Sequence, residues 1–572
     1  MCIKLFSSKS FGLIAVILML AACSPRKTSR PFHVIPYPQE VEFQDGVFDI
    51  AGARFTVAAG IDAMAEDYIQ SFADRLEAVT GKHNAIRRGT AERGVVFVLD
   101  ETLGQEAYTI DVTRRCARIS ASSYSGFVYA LQTVGQMLPV EYYGGARSKA
   151  DFVLPCVSIS DSPRFPYRGL LLDVGRQYFS VEELKRVLDI MSVYKANVFH
   201  WHLNEDAGWR MEIKKYPRLT EVGSVRSASQ TDFDPTHLDG VPQSGFYTQD
   251  DMREVVAYAA KLGITVIPEL DLPGHMLSAL ASYPELGCTG GPYEVACTWG
   301  VKKDVLCVGK EETFTFLEDV LTELLDIFPS EYINIGGDEV PKDRWKACPH
   351  CQARIRELGL KDKDGHTAEQ YLQNYVTARM QSFLAKHGRK IIGWEEILEG
   401  ELSEGVTVMS WKGTEEGVDE RIWNYNTIMS PRGYMYIDRY QSHDQDHEPF
   451  SIGAYLPVER VYEYEPYKGV PESGKDKILG VQANLWGEYI RTEEYMEYML
   501  LPRLAALSEV QWCTPENRQY PRFVESMDHH REIYGQKGLT YAKHLWGIVG
   551  LPGAEYPART PEEIEEYWAS ME

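Results

Sequence analysis

The chain is short of positive charge. Lys and Arg number 59 against 83 Asp and Glu, a formal net charge of -24 over 572 residues. A surface of that sign repels polyanions, which excludes nucleic acid as a partner and disfavours sulfated or uronate-rich polymers as main substrates. There is no internal repeat and no low-complexity segment, so neither a repeat array nor a disordered tract is expected. Long apolar runs are missing too. The strongest, Phe11–Ala22, is 12 residues long, well short of the ~20 that span a bilayer. Cysteine is sparse, at ten. A chain of this length, with 44% hydrophobic and 25% charged residues, is globular and large enough for two domains.

The short apolar run has its own meaning. Lys4 and Lys9 precede it, and it ends in Leu20-Ala21-Ala22-Cys23, small residues directly before a cysteine. This resembles a bacterial lipoprotein signal, in which Cys23 is acylated after removal of residues 1–22. Such a protein belongs to the cell envelope and meets the membrane only through its N-terminal lipid. The plainer alternative is an ordinary secretory signal with a chance cysteine. Eight cysteines remain once Cys2 leaves and Cys23 is lipidated. Cys288, Cys297 and Cys307 fall in one loop-rich stretch and can form a disulfide in an oxidising envelope. Cys348-Pro-His-Cys351 has metal-like spacing, but no second Cys-x-x-Cys accompanies it, so no metal is expected.

Behind the leader, residues 23–31 are polar and basic and read as a tether. Residues 32–160 have the pattern of a small α/β domain: helices over Ala63–Thr80 and Tyr124–Leu138, a strand over Gly94–Asp100, and a hairpin joining Ala107–Val112 to Ala117–Ala121. Over 161–512 short apolar strands alternate with helices. The strands are Arg168–Asp173, Asn197–His202, Ile264–Leu270, Tyr332–Gly336, Lys390–Trp394, Val406–Ser410, Thr427–Ser430 with Tyr434–Ile437, and Leu479–Ala483. Capping boxes at Ser180/Glu183, Thr248/Asp251 and Thr367/Gln370 start helices between them. Eight such units predict an α/β fold, a (β/α)8 TIM barrel preceded by the small α+β domain. Residues 513–572 read as a helical extension packed on the barrel.

Barrel enzymes carry their sites at the C-terminal ends of the strands. Those positions hold Asp173 and Arg176; Glu205, Asp206 and Trp209; Asp271 and His275; Asp338 and Glu339; Trp394, Glu395 and Glu396; Trp411; Tyr436 and Asp438; Trp486 and Glu488. Carboxylates accept hydrogen bonds from hydroxyls, and flat apolar rings stack on the C–H faces of pyranoses. A lone Trp is more often core and a lone carboxylate more often solvated surface, but one or both at nearly every strand end is the composition of a sugar site. The adjacent pair in Gly336-Gly337-Asp338-Glu339 is the sharpest signal. Like charges in a poorly solvated place push one pKa up, so one group keeps a proton while the other stays ionised. Strand neighbours point to opposite faces, so the pair is unsuited to straddle a sugar carbon as acid and nucleophile. It suits one group at the glycosidic oxygen and one at a neighbouring substituent.

Taken in order, Asp161-x-Pro-Arg-Phe-x-x-Arg-Gly-Leu, Asp173-x-x-Arg176, the run Phe199–Arg210, Pro273-Gly-His275, Gly336–Glu339, Gly393-Trp394 and Leu485-Trp-x-Glu488 resemble family 20 glycoside hydrolases, the β-N-acetylhexosaminidases. The resemblance implies exo-acting, substrate-assisted retention on a glycan with a terminal 2-acetamido sugar, with no cofactor. By it Glu339 is the general acid and base, Asp338 orients and charge-stabilises the acetamido group, and Tyr436 donates to its carbonyl. Trp394, Trp411 and Trp486 wall the pocket. Arg176, Asp206, Asp438 and Glu488 bind sugar, and His275 sits behind Glu339. Where the family often has two aspartates this chain has Glu205-Asp206, so the longer Glu205 must buttress His275. Two other readings compete. His200-x-His202 puts two imidazoles on one face of a strand, as a metal-dependent amidohydrolase requires, but later strands supply no matching set. A glycan-binding lipoprotein without activity is expected to lack Asp338 or Glu339. The sequence leaves the oligomeric state open.

Overall fold

The computed structural model describes residues 32–550 apart from 401, 403, 414–419 and 549. The leader 1–22, the tether 23–31 with Cys23, and the last part of the 513–572 extension lie outside the described residues.

The small domain builds a seven-stranded sheet in the order β1-β7-β5-β6-β4-β2-β3, from β1 (Glu40–Asp49), β2 (Phe55–Val57), β3 (Ile86–Arg88), β4 (Gly94–Leu99), β5 (Tyr108–Val112), β6 (Cys116–Ala121) and β7 (Val153–Asp161). Its two helices follow the apolar spacing. Ala63–Thr80 buries Ile69, Phe72, Leu76 and Val79, is capped by Asp62, and ends at left-handed Gly81. Tyr124–Met137 is capped by Ser123.

Asp161, the last residue of β7, joins this sheet to the rest. It faces Lys195 at 3.2 Å with both side chains fully buried, accepts from Tyr108 Oη, and accepts from Trp512 Nε1 at 2.9 Å. One carboxylate thus links the small domain, the turn before the second barrel strand and a late helix. Lys195→Met leaves Asp161 buried without its cation, which typically costs about 3–5 kcal/mol. The expected result is a clear fall in the urea midpoint; an unchanged midpoint would refute the linking role.

Eight parallel strands close the barrel: Tyr167–Asp173, Val198–His202, Thr265–Glu269, Tyr332–Asn334, Lys390–Trp394, Thr407–Ser410, Asn426–Met429 and Ile478–Leu485, the last pairing with the first. Its interior packs Tyr167, Leu171, Val198, Ile267, Ile392, Met409 and Ile428 beneath Trp394. All three capping boxes form, each with reciprocal backbone and side-chain bonds. The second piece of the seventh strand does not exist. Arg432–Met435 is a helical turn after Pro431, and Tyr436 touches the eighth strand through one bridge to Asn484. Late helices Arg503–Trp512 and Tyr520–Lys537 follow the barrel, and a 3-10 turn at His544–Trp546 comes after them.

Among the described residues all eight cysteines are free thiols. The expected grouping of Cys288, Cys297 and Cys307 is corrected. Cys297 lies beside Ser227, whereas Cys288 and Cys307 meet Cys348 and Cys351.

Candidate active site

A pocket of about 170 Å³ opens at the C-terminal end of the barrel, with Arg176, His275, Asp338, Glu339, Trp394, Trp411, Tyr436, Asp438, Trp486 and Glu488 on its wall. Its floor is a fixed polar layer. Glu269 accepts from Trp394 Nε1 at 2.9 Å and contacts His200 Nε2 and His202 Nδ1, each at 2.8 Å. The two imidazoles proposed as metal ligands are therefore spent on one carboxylate. Trp394 and Trp486 sit 5.8 Å apart at 43°, and Tyr436 meets Trp486 edge-on.

The paired carboxylates lie past the end of the fourth strand, so strand alternation does not govern them. Gly336 (φ 62°), Gly337 (φ 99°) and Glu339 (φ 50°) are left-handed, which turns the chain at three of four consecutive positions. A Cβ on Gly336 would stand 1.9 Å from Asp271 Oδ1, so only glycine lets the loop cross there. The result is that Asp338 and Glu339 face the same imidazole edge, their carboxylates 3.9 and 3.6 Å from His275 Nε2. His275 is itself left-handed (φ 49°). Behind it, Nδ1 meets Glu205 Oε1 at 3.1 Å and Asp206 Oδ2 at 3.3 Å.

Glu205 also bonds Arg176 at 3.1 Å and accepts from the Ala207 N–H. The assignment of Asp206 to sugar contact is corrected: it is buried outside the pocket wall, against His275 and the Leu277 N–H, because the turn after the second strand directs both acids inward. Arg176 is held by Asp173 at 2.8 Å and stands over the Trp486 ring.

Burial works against charge throughout the site. It lifts the Asp338 carboxyl to about 6, helped by Glu339 and Glu269 and opposed by His275. Burial also acts upward on Glu339, but the hydrogen bond and charge of His275 outweigh it and hold this group below the ordinary glutamate value. For His275 burial acts downward, and its bonds to Asp206, Glu205 and Glu339 outweigh that and hold it well above the usual histidine range. Burial raises Asp438 to about 6 and Glu488 to about 7. Asp338 Oδ1, Asp438 Oδ1, Glu488 Oε2 and Trp486 Nε1 are buried without a hydrogen-bond partner. These four atoms belong to residues that line one pocket, where a ligand's polar groups can satisfy them.

Sequence reasoning missed Arg432, Arg439, Gly300, Val301 and Ile452, which also line the pocket. Arg432 follows the seventh strand by three residues, a strand-end signal hidden by reading 434–437 as more strand. Gly300, Val301 and Ile452 lie in insertions with no pattern to mark them.

A closed parallel barrel whose strand ends surround an acidic, tryptophan-walled pocket has the form of a glycoside hydrolase site. Residues 165–515 match the model of glycosyl hydrolase family 20, catalytic domain, and residues 32–162 match that of family 20, domain 2. The chain belongs to glycosyl hydrolase family 20. A β-hexosaminidase of Porphyromonas gingivalis is 40% identical over 93% of this chain and 68% of its own length. Among solved structures, a family 20 exo-β-N-acetylglucosaminidase of Vibrio harveyi in complex with N-acetylglucosamine has a TM-score of 0.76 at 30% identity, covering 90% of this chain and 79% of that one. A β-N-acetylhexosaminidase of Bacteroides fragilis gives 0.75 at 31%, covering 90% and 98%.

Proposed function

We propose that this glycoside hydrolase removes one terminal N-acetylglucosamine or N-acetylgalactosamine from a glycan, with the substrate's own acetamido oxygen attacking C1. The observation that carries the reading is the placement of Asp338 and Glu339 side by side on His275. One group can serve the leaving oxygen while its neighbour serves the substituent at C2. Glu339, with about half its side chain exposed, is the acid and later the base. A sugar seated over it strips its water and raises its pKa, so that it holds the proton it must give. In the productive form Asp338 is ionised against the amide nitrogen as the oxazolinium forms. Tyr436 donates to the acetamido carbonyl. The unpartnered oxygens of Asp438 and Glu488, with Arg176, take ring hydroxyls, and Trp394, Trp411 and Trp486 enclose the sugar. Glu205 and Asp206 act through His275, as positioning residues.

A panel of aryl glycosides tests this. Those bearing the 2-acetamido group should be cleaved, and their counterparts with a plain hydroxyl at C2 hardly at all. A thiazoline copy of the cyclic intermediate should bind far more tightly than product. Comparable rates on both series would overturn the mechanism.

The leader gives a second expectation, that the enzyme is exported and anchored through lipid on Cys23. Cys23→Ala should block processing or release the protein from the envelope fraction. Unchanged processing and membrane partition would end that reading.

A further inference from the structure

Four cysteines that the hydrolase chemistry does not use come together from the segments that follow the third and fourth barrel strands. Cys288, Cys307, Cys348 and Cys351 offer sulfurs that all lie within 4.8 Å of one another. Cys307 is 3.5 Å from Cys348 and 3.7 Å from Cys351, and Cys288 is 3.9 Å from Cys351. Tetrahedral zinc with Zn–S bonds of about 2.3 Å sets its sulfurs about 3.8 Å apart. No single partner is singled out for Cys307, as pairing into disulfides would demand; it stands almost equally far from two sulfurs. Cys307, Cys348 and Cys351 are buried and Cys288 is half-buried, so the cluster is closed on most sides.

The backbone is arranged for these four. Gly287 and Leu306 form a β-bridge, and Cys307 N–H donates to Leu286, which sets Cys288 and Cys307 side by side across a long loop. Cys348 caps the helix Pro349–Leu358, and Cys351 stands in its first turn. A Cβ on Gly309 would come within 2.2 Å of the His350 carbonyl carbon, so the 307–309 turn lies directly on that helix start. The helix N-terminus beside Cys348 and Cys351 favours negative sulfur.

We infer that Cys288, Cys307, Cys348 and Cys351 form a tetrathiolate zinc site, structural rather than catalytic. Each thiol gives its proton to solvent as the ion enters, and no electron is transferred. The site clips two rim segments together. One contains Gly300 and Val301 of the pocket wall. The other continues from Asp338-Glu339, and Arg344–Asp304 at 2.7 Å with Trp345 Nε1 donating to Leu306 reinforces the same seam. The single Cys-x-x-Cys looked incomplete because its second pair is spaced by the loop rather than by a turn.

The full-length protein, purified without chelator, should carry about one zinc per chain, with X-ray absorption giving four sulfurs at about 2.3 Å. A mercurial titrant should release that zinc in proportion to thiols blocked. Cys348→Ser should lose the metal and lower the melting midpoint, and Gly309→Ala should weaken retention without removing a ligand. If Cys348→Ser does not fold, the wild-type metal content and absorption spectrum decide alone. Zinc-free protein whose peptide map shows disulfides among these four residues would overturn the proposal, as would reduced, zinc-free thiols that fail to take up added zinc.

Discussion

Asp338→Asn should lower kcat by about 10²–10³-fold on 2-acetamido substrates, the scale of losing one preorganised charge-stabilising group, while KM changes much less. The nucleophile belongs to the sugar, and positive charge grows on its amide nitrogen as the ring closes. A carboxylate beside that nitrogen stabilises the transition state more than the bound substrate, and only this difference accelerates the step. Asparagine preserves the hydrogen bond and removes the charge. The pH profile supplies a second readout. The productive form has Asp338 ionised and Glu339 protonated, so the pair holds one proton. It gains a second at low pH, which discharges Asp338. It loses its last as pH rises past about 6, the upper value of the pair. Wild-type kcat/KM should therefore peak on the acid side of neutrality and fall above about 6. In Asp338→Asn only Glu339 remains, and its lowered value moves the alkaline limb to lower pH. A limb left in place, or a fluorosugar adduct trapped on Asp338, would dismiss the assignment.

Glu339→Gln should cost roughly 10²–10⁴-fold on substrates with poor leaving groups, the usual worth of a positioned acid. Glutamine keeps the shape and the place beside His275 but has no proton to give. An activated aryl leaving group departs with little protonation, so there the first step should be much less impaired. The later step still needs a base to take a proton from water, which leaves a residual loss. The signature is the slope of rate against leaving-group pKa, steeper in the variant than in wild type. Parallel slopes would take Glu339 out of the acid role.

The barrel was legible because most strands are short apolar runs set off by a capping box, a glycine or a proline, and those local rules agree with the global fold. Tyr434–Ile437 departs from the strand its pattern predicts. Its apolar character suits a strand, yet Pro431 begins a helical turn and delivers Tyr436 and Asp438 to the pocket from a loop. The strand-end carboxylates and tryptophans could be gathered from sequence, since strand ends share one rim by topology. Their directions could not. Asp206 turns inward behind His275, and Asp338 and Glu339 share an imidazole edge only because the backbone runs left-handed around them. The cysteine cluster joins residues 63 positions apart, between Cys288 and Cys351, through a loop without periodicity.

The pocket floor, sealed by Trp394 and its bond to Glu269, dictates how a polymer is consumed. A glycan cannot thread through this floor, so after each cut the freed sugar fills the place where the next terminal residue must sit. The enzyme must empty itself and bind afresh at every turn. Its throughput then follows the number of exposed termini rather than the mass of glycan, and a many-branched substrate is degraded faster than a linear one of equal weight.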